Sequence, residues 1–260
     1  MSRSTRLAAV TVLAALGVAA GAAAPASAAE PGDLDWYFAE AAGGPARATS
    51  QDVGNLFGGD FPLVCDLGDG DGPALWNAGV FTLGSGSDQV SFSFGRPTDY
   101  PLCGDWDGDG TDTPGVVRGN GYILATKNVS GGGGVRSFAF GRADDFPLVG
   151  DWDGNGTDTV ALARANSYIF ASANAAGGGP LVSSVFGSAS DFPVAGDWTG
   201  DGFDTLALQR GSQFFVSYDR AGTATRSDRT FAFGRVSDYP VAGTLAGASR
   251  GSIGLVRIED

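Results

Sequence analysis

One block of residues recurs through this chain and constrains its fold more than any other feature. Asp99-Tyr100-Pro101-Leu102-Cys103-Gly104-Asp105-Trp106 returns as Asp145-Phe146-Pro147-Leu148-Val149-Gly150-Asp151-Trp152. It returns again as Asp191-Phe192-Pro193-Val194-Ala195-Gly196-Asp197-Trp198, with weaker copies beginning at Asp60-Phe61-Pro62 and Asp238-Tyr239-Pro240. The prolines of the block stand at 62, 101, 147, 193 and 240, so the spacings are 39, 46, 46 and 47 residues. A period of this size marks stacked units, none of which can bury its apolar face alone.

Each unit holds four short strand-like runs separated by turn residues. In the third unit they are Pro147–Trp152, Thr159–Arg164, Ser167–Ala173 and Leu181–Phe186. The second run, TVALAR, is apolar on both faces, as an interior strand of a stacked sheet should be. The third, SYIFASA, puts Tyr168 and Phe170 on one face and Ile169 and Ala171 on the other. Four strands per unit of this length is the size of one β-propeller blade, with a linear solenoid as the competing architecture.

The two ends of the sequence separate these architectures. Asp35-Trp36-Tyr37-Phe38 matches the third run and Asn55-Leu56-Phe57-Gly58 the fourth, whereas Ser252–Arg257 (SIGLVR) matches the second. The half-unit at the start completes the half-unit at the end, which closes a ring and removes sheet edges. A solenoid would carry polar caps instead. The expected fold is all-β: a five-bladed β-propeller of four-stranded blades, its last blade closed by both termini. No helix and no second domain is expected across 29–260. The 43 glycines and 12 prolines among 260 residues suit the many tight turns this requires.

Residues 1–28 read as a Sec-type signal peptide. Arg3 and Arg6 precede an apolar Leu7–Ala24 run, and Ala26-Ser27-Ala28 supplies a small-x-small cleavage site. A membrane anchor fits less well, because the run is rich in Ala and Gly and the cleavage site follows directly. The expected location is therefore extracellular. Removing Arg3 and Arg6 takes the formal charge from −13 to −15. An acidic chain without a basic block argues against nucleic acid and anionic lipid as partners.

After each first strand comes a turn dense in oxygen-bearing side chains. The second unit has Asp105, Asp107, Asp109, Thr111 and Asp112 at loop positions 1, 3, 5, 7 and 8, with Gly110 at 6. The third has Asp151, Asp153, Asn155, Thr157 and Asp158, and the fourth Asp197, Thr199, Asp201, Phe203 and Asp204. Ca²⁺ takes six to eight hard oxygens. Alternate side chains before a sharp Gly turn supply several, and a carbonyl near position 7 another. Carboxylates this close repel one another without a cation. A metal-free Asx turn is the alternative for one copy; three copies in register favour Ca²⁺, and Mg²⁺ fits less well because it keeps its waters. Unit one, Asp66-Leu67-Gly68-Asp69-Gly70-Asp71-Gly72-Pro73-Ala74, reads as having one residue inserted and no terminal Asp. Unit five, Thr244–Arg250, has no carboxylate. About three Ca²⁺ sites are expected, in blades two to four, with a weak or absent site in blade one and none in blade five.

The Phe-Gly pairs (57–58, 94–95, 140–141, 186–187 and 233–234) and the GDWDGDG-type loops resemble FG-GAP/VCBS-like repeats across nearly all of 29–260. The resemblance implies a β-propeller, as in integrin α-subunit heads, with Ca²⁺ between a blade's first two strands. The last acidic ligand of that family usually falls at loop position 9, whereas Asp112, Asp158 and Asp204 stand at 8. The family serves adhesion, carbohydrate binding and accessory roles on enzymes, so it does not fix the function.

Cys65 and Cys103 lie one position out of register on neighbouring first strands, and a disulfide is expected in an oxidising compartment. Trp106, Trp152 and Trp198 offer two readings, a sugar-stacking platform or packing between blades. Trp36 and Trp76 fall outside the motif and are weaker ligand candidates. The chain has no His, so His-based triads and zinc sites are excluded. Almost every acid recurs in register, which suits scaffold or metal more than a symmetry-breaking active site. Asp88, Asp144, Asp219 and Asp228 are unmatched but carry no further mark. The expectation is a non-enzymatic, monomeric recognition module for a glycan or cell-surface ligand, with a secreted protein partner as alternative. A glycoside hydrolase or lyase is the least favoured reading.

Overall fold

Strand β1 (Leu34–Ala39) lies antiparallel between β2 (Ala46–Ser50) and the last strand, β20 (Ser252–Ile258), which pairs in turn with β19 (Tyr239–Gly243). Trp36 faces Val256 and Tyr37 faces Leu255 in this register. The blade shared by both chain ends is thus as expected, with one correction. Its fourth strand is Ala46–Ser50 rather than 55–58, which lie outside the described residues. The Phe-Gly pair follows the fourth strand in other blades, as Phe140-Gly141 does after Ala139, so matching on it overshoots the hydrogen-bonded segment.

The computed structural model describes residues 34–39, 46–50, 61–68, 71–84, 89–125, 134–171, 181–221, 223–244 and 249–258. Among them every regular element is a β-strand. Blade one holds β3 (Phe61–Asp66), β4 (Asp71–Asn77), β5 (Val80–Leu83) and β6 (Val90–Ser93). Blade two holds β7 (Tyr100–Gly104), β8 (Thr113–Arg118), β9 (Gly121–Ala125) and β10 (Val135–Ala139). Blade three holds β11 (Phe146–Gly150), β12 (Thr159–Arg164), β13 (Ser167–Ala171) and β14 (Leu181–Val185). Blade four holds β15 (Phe192–Gly196), β16 (Thr205–Arg210), β17 (Gln213–Val216) and β18 (Arg229–Ala232). The first strands touch in the cycle β3, β7, β11, β15, β19 and back to β3, so the five-bladed propeller is closed.

The core lies between blades. β8, β12 and β16 are buried along their first five residues, which is why these runs lack alternation. Outer strands such as β10 alternate exposed and half-buried positions. Trp106 and Leu124 pack on Val160 and Leu162 of the next blade, and Trp152 and Tyr168 on Leu206 and Leu208. Trp198 and Phe214 meet Ile253 and Leu255, and Trp36 meets Leu75 across the closing seam. Each large side chain so buried stabilises by roughly 1.5–3 kcal/mol. The Phe-Gly turn sits on the same seam. Gly141 has φ +69° and lies against the Leu162 side chain and the Asp145 carboxylate, leaving no room for a Cβ.

The first strands line a channel of about 170 Å³ with Pro, Leu and Val side chains. At their starts Phe61, Tyr100, Phe146, Phe192 and Tyr239 meet edge-to-face, with centroids 5.2–5.6 Å apart in the four successive pairs. Burial pushes the Tyr100 phenol well above its ordinary range, and the nearby Tyr239 phenol adds to this. Cys65 and Cys103 form the expected disulfide between β3 and β7, with Cα atoms 5.7 Å apart.

Beside this aromatic mouth runs a ring of ion pairs that join the block's first Asp to an Arg nineteen residues on. Arg118, Arg164, Arg210 and Arg257 each make a two-pronged contact with Asp99, Asp145, Asp191 and Asp238. The four carboxylates are at most 1% exposed. Each also accepts a backbone N–H, from Arg96, Arg142, Ser188 or Arg235. At Asp145 and Asp191 the guanidinium outweighs burial and holds the carboxyl below its usual range. At Asp99 and Asp238 burial pushes upward most strongly, yet the Arg and backbone donors together win. A depressed folded pKa gives stability that is complete above the unfolded value, about 3.9, and is lost as pH falls through the folded one. The urea midpoint should therefore fall steadily as pH drops below about 4. Asp145→Asn should lower the midpoint at pH 7 and flatten the acid limb.

Candidate metal centre

The Asp-rich loops lie at the end of the channel opposite the aromatic ring, where each first strand turns into the second. In blade two, Asp105 Oδ1 accepts the amides of Gly108 (2.8 Å) and Asp109 (3.1 Å), and Oδ2 accepts that of Gly110 (2.8 Å). One carboxylate therefore curls the loop around itself. Gly108 and Gly110, at φ +76° and +83°, supply the left-handed backbone that this needs. Blade three repeats the pattern from Asp151 to Gly154, Asn155 and Gly156. Blade four repeats it from Asp197 to Gly200, Asp201 and Gly202.

Asp105, Asp107 and Asp109 bring one carboxylate oxygen each within 4.8 Å of one another. Two oxygens on one Ca²⁺ at 2.3–2.6 Å can be at most about 5 Å apart, so this donor set fits a hard divalent cation. Asp107 and Asp109 are exposed. The third loop has the same backbone with Asn155 in place of a carboxylate, and hence one negative charge fewer.

Position 8 points elsewhere. Asp112 Oδ2 accepts the Asp66 amide at 2.8 Å, Asp158 that of Asp105 at 2.9 Å, and Asp204 that of Asp151 at 2.9 Å. The amides of Asp112, Asp158 and Asp204 donate back to the carbonyls of Asp66, Asp105 and Asp151. Each of these oxygens is thus spent on the loop of the preceding blade. The cause is strand geometry: residue 8 stands directly before the second strand, on the side facing that blade. Burial pushes the Asp204 carboxyl well above its ordinary range, and the charges of Asp158, Asp151 and Asp197 add to this. Position 7 also reaches across. Thr157 Oγ1 covers Gly108 and the Phe203 ring covers Gly154, where added Cβ atoms would lie 2.8 and 2.6 Å from them. What Thr111, Thr157 and Phe203 can offer their own loops is a backbone carbonyl.

In blade one the strand register pairs Asp66 with Asp71, just as Gly104 pairs with Thr113 one step earlier in blade two. Asp71 therefore stands where Asp112 stands, and the loop is two residues shorter. The inserted residue and missing terminal Asp of the sequence reading are corrected by this register. In blade five Gly251 takes the place of Asp158, and 245–248 lie outside the described residues.

The tryptophans settle on packing. Trp106, Trp152 and Trp198 are 1%, 4% and 3% exposed, and their Nε1 atoms donate to the carbonyls of Thr113, Thr159 and Thr205. A sugar cannot reach their faces, so the stacking platform is excluded. Trp36 and Trp76 are equally buried, with Nε1 atoms that have no partner among the described residues. The repeated Asp–Arg pairing went unread in the sequence, although its constant spacing of nineteen residues was there to find. Asp144 adds a favourable charge near Arg164, and Asp228 accepts the Tyr218 amide. Asp88 lies outside the described residues.

No family model matches the chain, and no curated protein matches it. Among solved structures, one similar chain is an Agrocybe aegerita lectin described as recognising non-reducing terminal N-acetylglucosamine. The likeness has a TM-score of 0.47 at 13% identity, over 86% of this chain and 71% of that one. Another is the Photorhabdus luminescens Tc holotoxin pore, at TM-score 0.44 and 13% identity, over 86% of this chain but only 13% of that one. A buried tryptophan makes a plain prediction. Trp152→Ala should cost about 3–5 kcal/mol of stability by opening the seam between blades three and four. Chemical denaturation measures this directly, and a loss near zero would contradict the packing role.

Proposed function

We propose that the chain is an exported, calcium-binding β-propeller that recognises a glycan or cell-surface polymer without acting on it chemically. The oxygen group of Asp105, Asp107 and Asp109 carries this reading. With Asp107 and Asp109 exposed, a cation there would keep part of its coordination open to solvent, or to hydroxyl and carboxylate oxygens of a polymer. Repetition of the loop on one face would multiply weak contacts. Export rests on the leader-like residues 1–28.

The non-enzymatic reading is supported by how the acids are used. Asp99, Asp145, Asp191 and Asp238 are held by arginines, and Asp112, Asp158 and Asp204 by amides of the preceding blade. A two-carboxylate hydrolase needs one acid and one base or nucleophile facing a single cleft. These seven acids are committed to other partners.

Calcium at these loops should raise the thermal midpoint, and EDTA should lower it reversibly. A ligand at one hundred times its Kd stabilises by about 2.7 kcal/mol per site. No shift, together with no calcium by elemental analysis, would remove the metal from this proposal. A polysaccharide array probed with and without Ca²⁺ tests the ligand. Binding to at least one glycan only in Ca²⁺ is expected. A clean negative, with a stoichiometric protein captured from culture medium instead, would replace glycan recognition by protein docking.

A further inference from the structure

The three complete loops are not equivalent, and the fourth blade differs from the others in a consistent direction. At position 3 it carries Thr199, whose hydroxyl donates to Asp201 Oδ1 at 2.8 Å, so one anionic donor is lost and a second is engaged. Asp201 Oδ2 lies 3.8 Å from Arg220 Nη2. The guanidinium carbon of Arg220 stands 3.5 Å above the centroid of the Phe203 ring, whose other contact is Gly154 of the preceding loop. Phe203 replaces the Thr found at position 7 of loops two and three, and an aromatic ring there makes a seat for a cation.

Arg220 belongs to the segment between β17 and β18, which folds over this loop. The Arg220 carbonyl accepts the Thr223 amide, Asp228 Oδ2 accepts that of Tyr218, and Ala224 is 1% exposed. From blade five, the Ser249 carbonyl and the side-chain stem of Arg250 lie against Gly200, where Thr157 and Phe203 occupy the same place on loops two and three. Asp107 and Asp109 of loop two and Asp153 of loop three have no ion pair among the described residues.

We propose that Arg220 is the built-in counter-cation of the fourth loop, which holds its shape without metal, so that calcium enters loops two and three only. Calcium affinity in such loops follows the number of carboxylates. Loops three and four each have two acids at positions 1, 3 and 5, but only in loop four would calcium have to displace a guanidinium seated on an aromatic ring. The proposal narrows the three expected sites to two, and it rests on the calcium reading of loops two and three only for that count. The holding role of Arg220 stands apart from it.

Two measurements on the full-length chain test it. Equilibrium dialysis should find two calcium ions per chain, and Thr199→Asp combined with Arg220→Gln should admit a third. Hydrogen exchange in EDTA should show the Gly200 and Gly202 amides, which donate to Asp197, as protected as they are in Ca²⁺. Arg220→Gln should quicken both in EDTA by about tenfold and leave Gly154 and Gly156 unchanged. A third ion in the wild-type chain, or none gained by the double variant, would overturn the proposal. So would unchanged exchange of Gly200 and Gly202 in Arg220→Gln. A wild-type chain that binds no calcium would overturn the metal reading of loops two and three, while exchange in EDTA still decides the role of Arg220.

Discussion

The contact on which the loop face depends is the two-way hydrogen bond between blades. Asp158 donates its amide to the Asp105 carbonyl and accepts the Asp105 amide on Oδ2. Asp105 is the residue whose carboxylate curls the loop of blade two. The peptide groups that orient that carboxylate are therefore fixed by the next blade, not by the hairpin in which they lie. The same clamp joins Asp112 to Asp66 and Asp204 to Asp151. Gly251 keeps only half of it: its amide reaches the Asp197 carbonyl, and a Cβ there would lie within 3.1–3.3 Å of the Asp197 backbone.

The other end of each blade is fixed by different chemistry. There a buried carboxylate is shared between an Arg on the second strand and a backbone amide of the incoming turn, beside a Gly that touches the next blade. Between these polar ends lies the apolar seam of Trp, Leu and Val. A buried carboxylate is tolerated only with its hydrogen bonds complete, and here both kinds are. The blades are thus set in angle at the top, bottom and middle by separate interactions. That accounts for a closed ring built from sheets that each have only four strands.

The sequence carried the fold almost whole, because a repeat with four apolar runs per unit leaves few architectures and a split unit at the ends leaves one. It carried the loop donors at positions 1, 3 and 5 because alternation along a tight turn is a local property. It could not carry the destination of Asp158, because a side chain's direction at the start of an interior strand is decided by a neighbour 53 residues away. The same limit hid the burial of Trp106, which sits in a polar-looking GDWDGDG string yet packs on Val160. In blade one the fivefold run of Asp and Gly concealed the true alignment, which only strand pairing of Asp66 with Asp71 fixes. Arg220 had no repeat to announce it, since its segment is particular to blade four.

A crystal structure grown in calcium, with anomalous scattering used to place the ions, tests the central account most directly. The account predicts an ion held by Asp105, Asp107 and Asp109, with Asp158 still on the Asp105 amide and Asp112 still on that of Asp66. An ion that draws Asp112 into its own loop, or no ion at that carboxylate group, would contradict it.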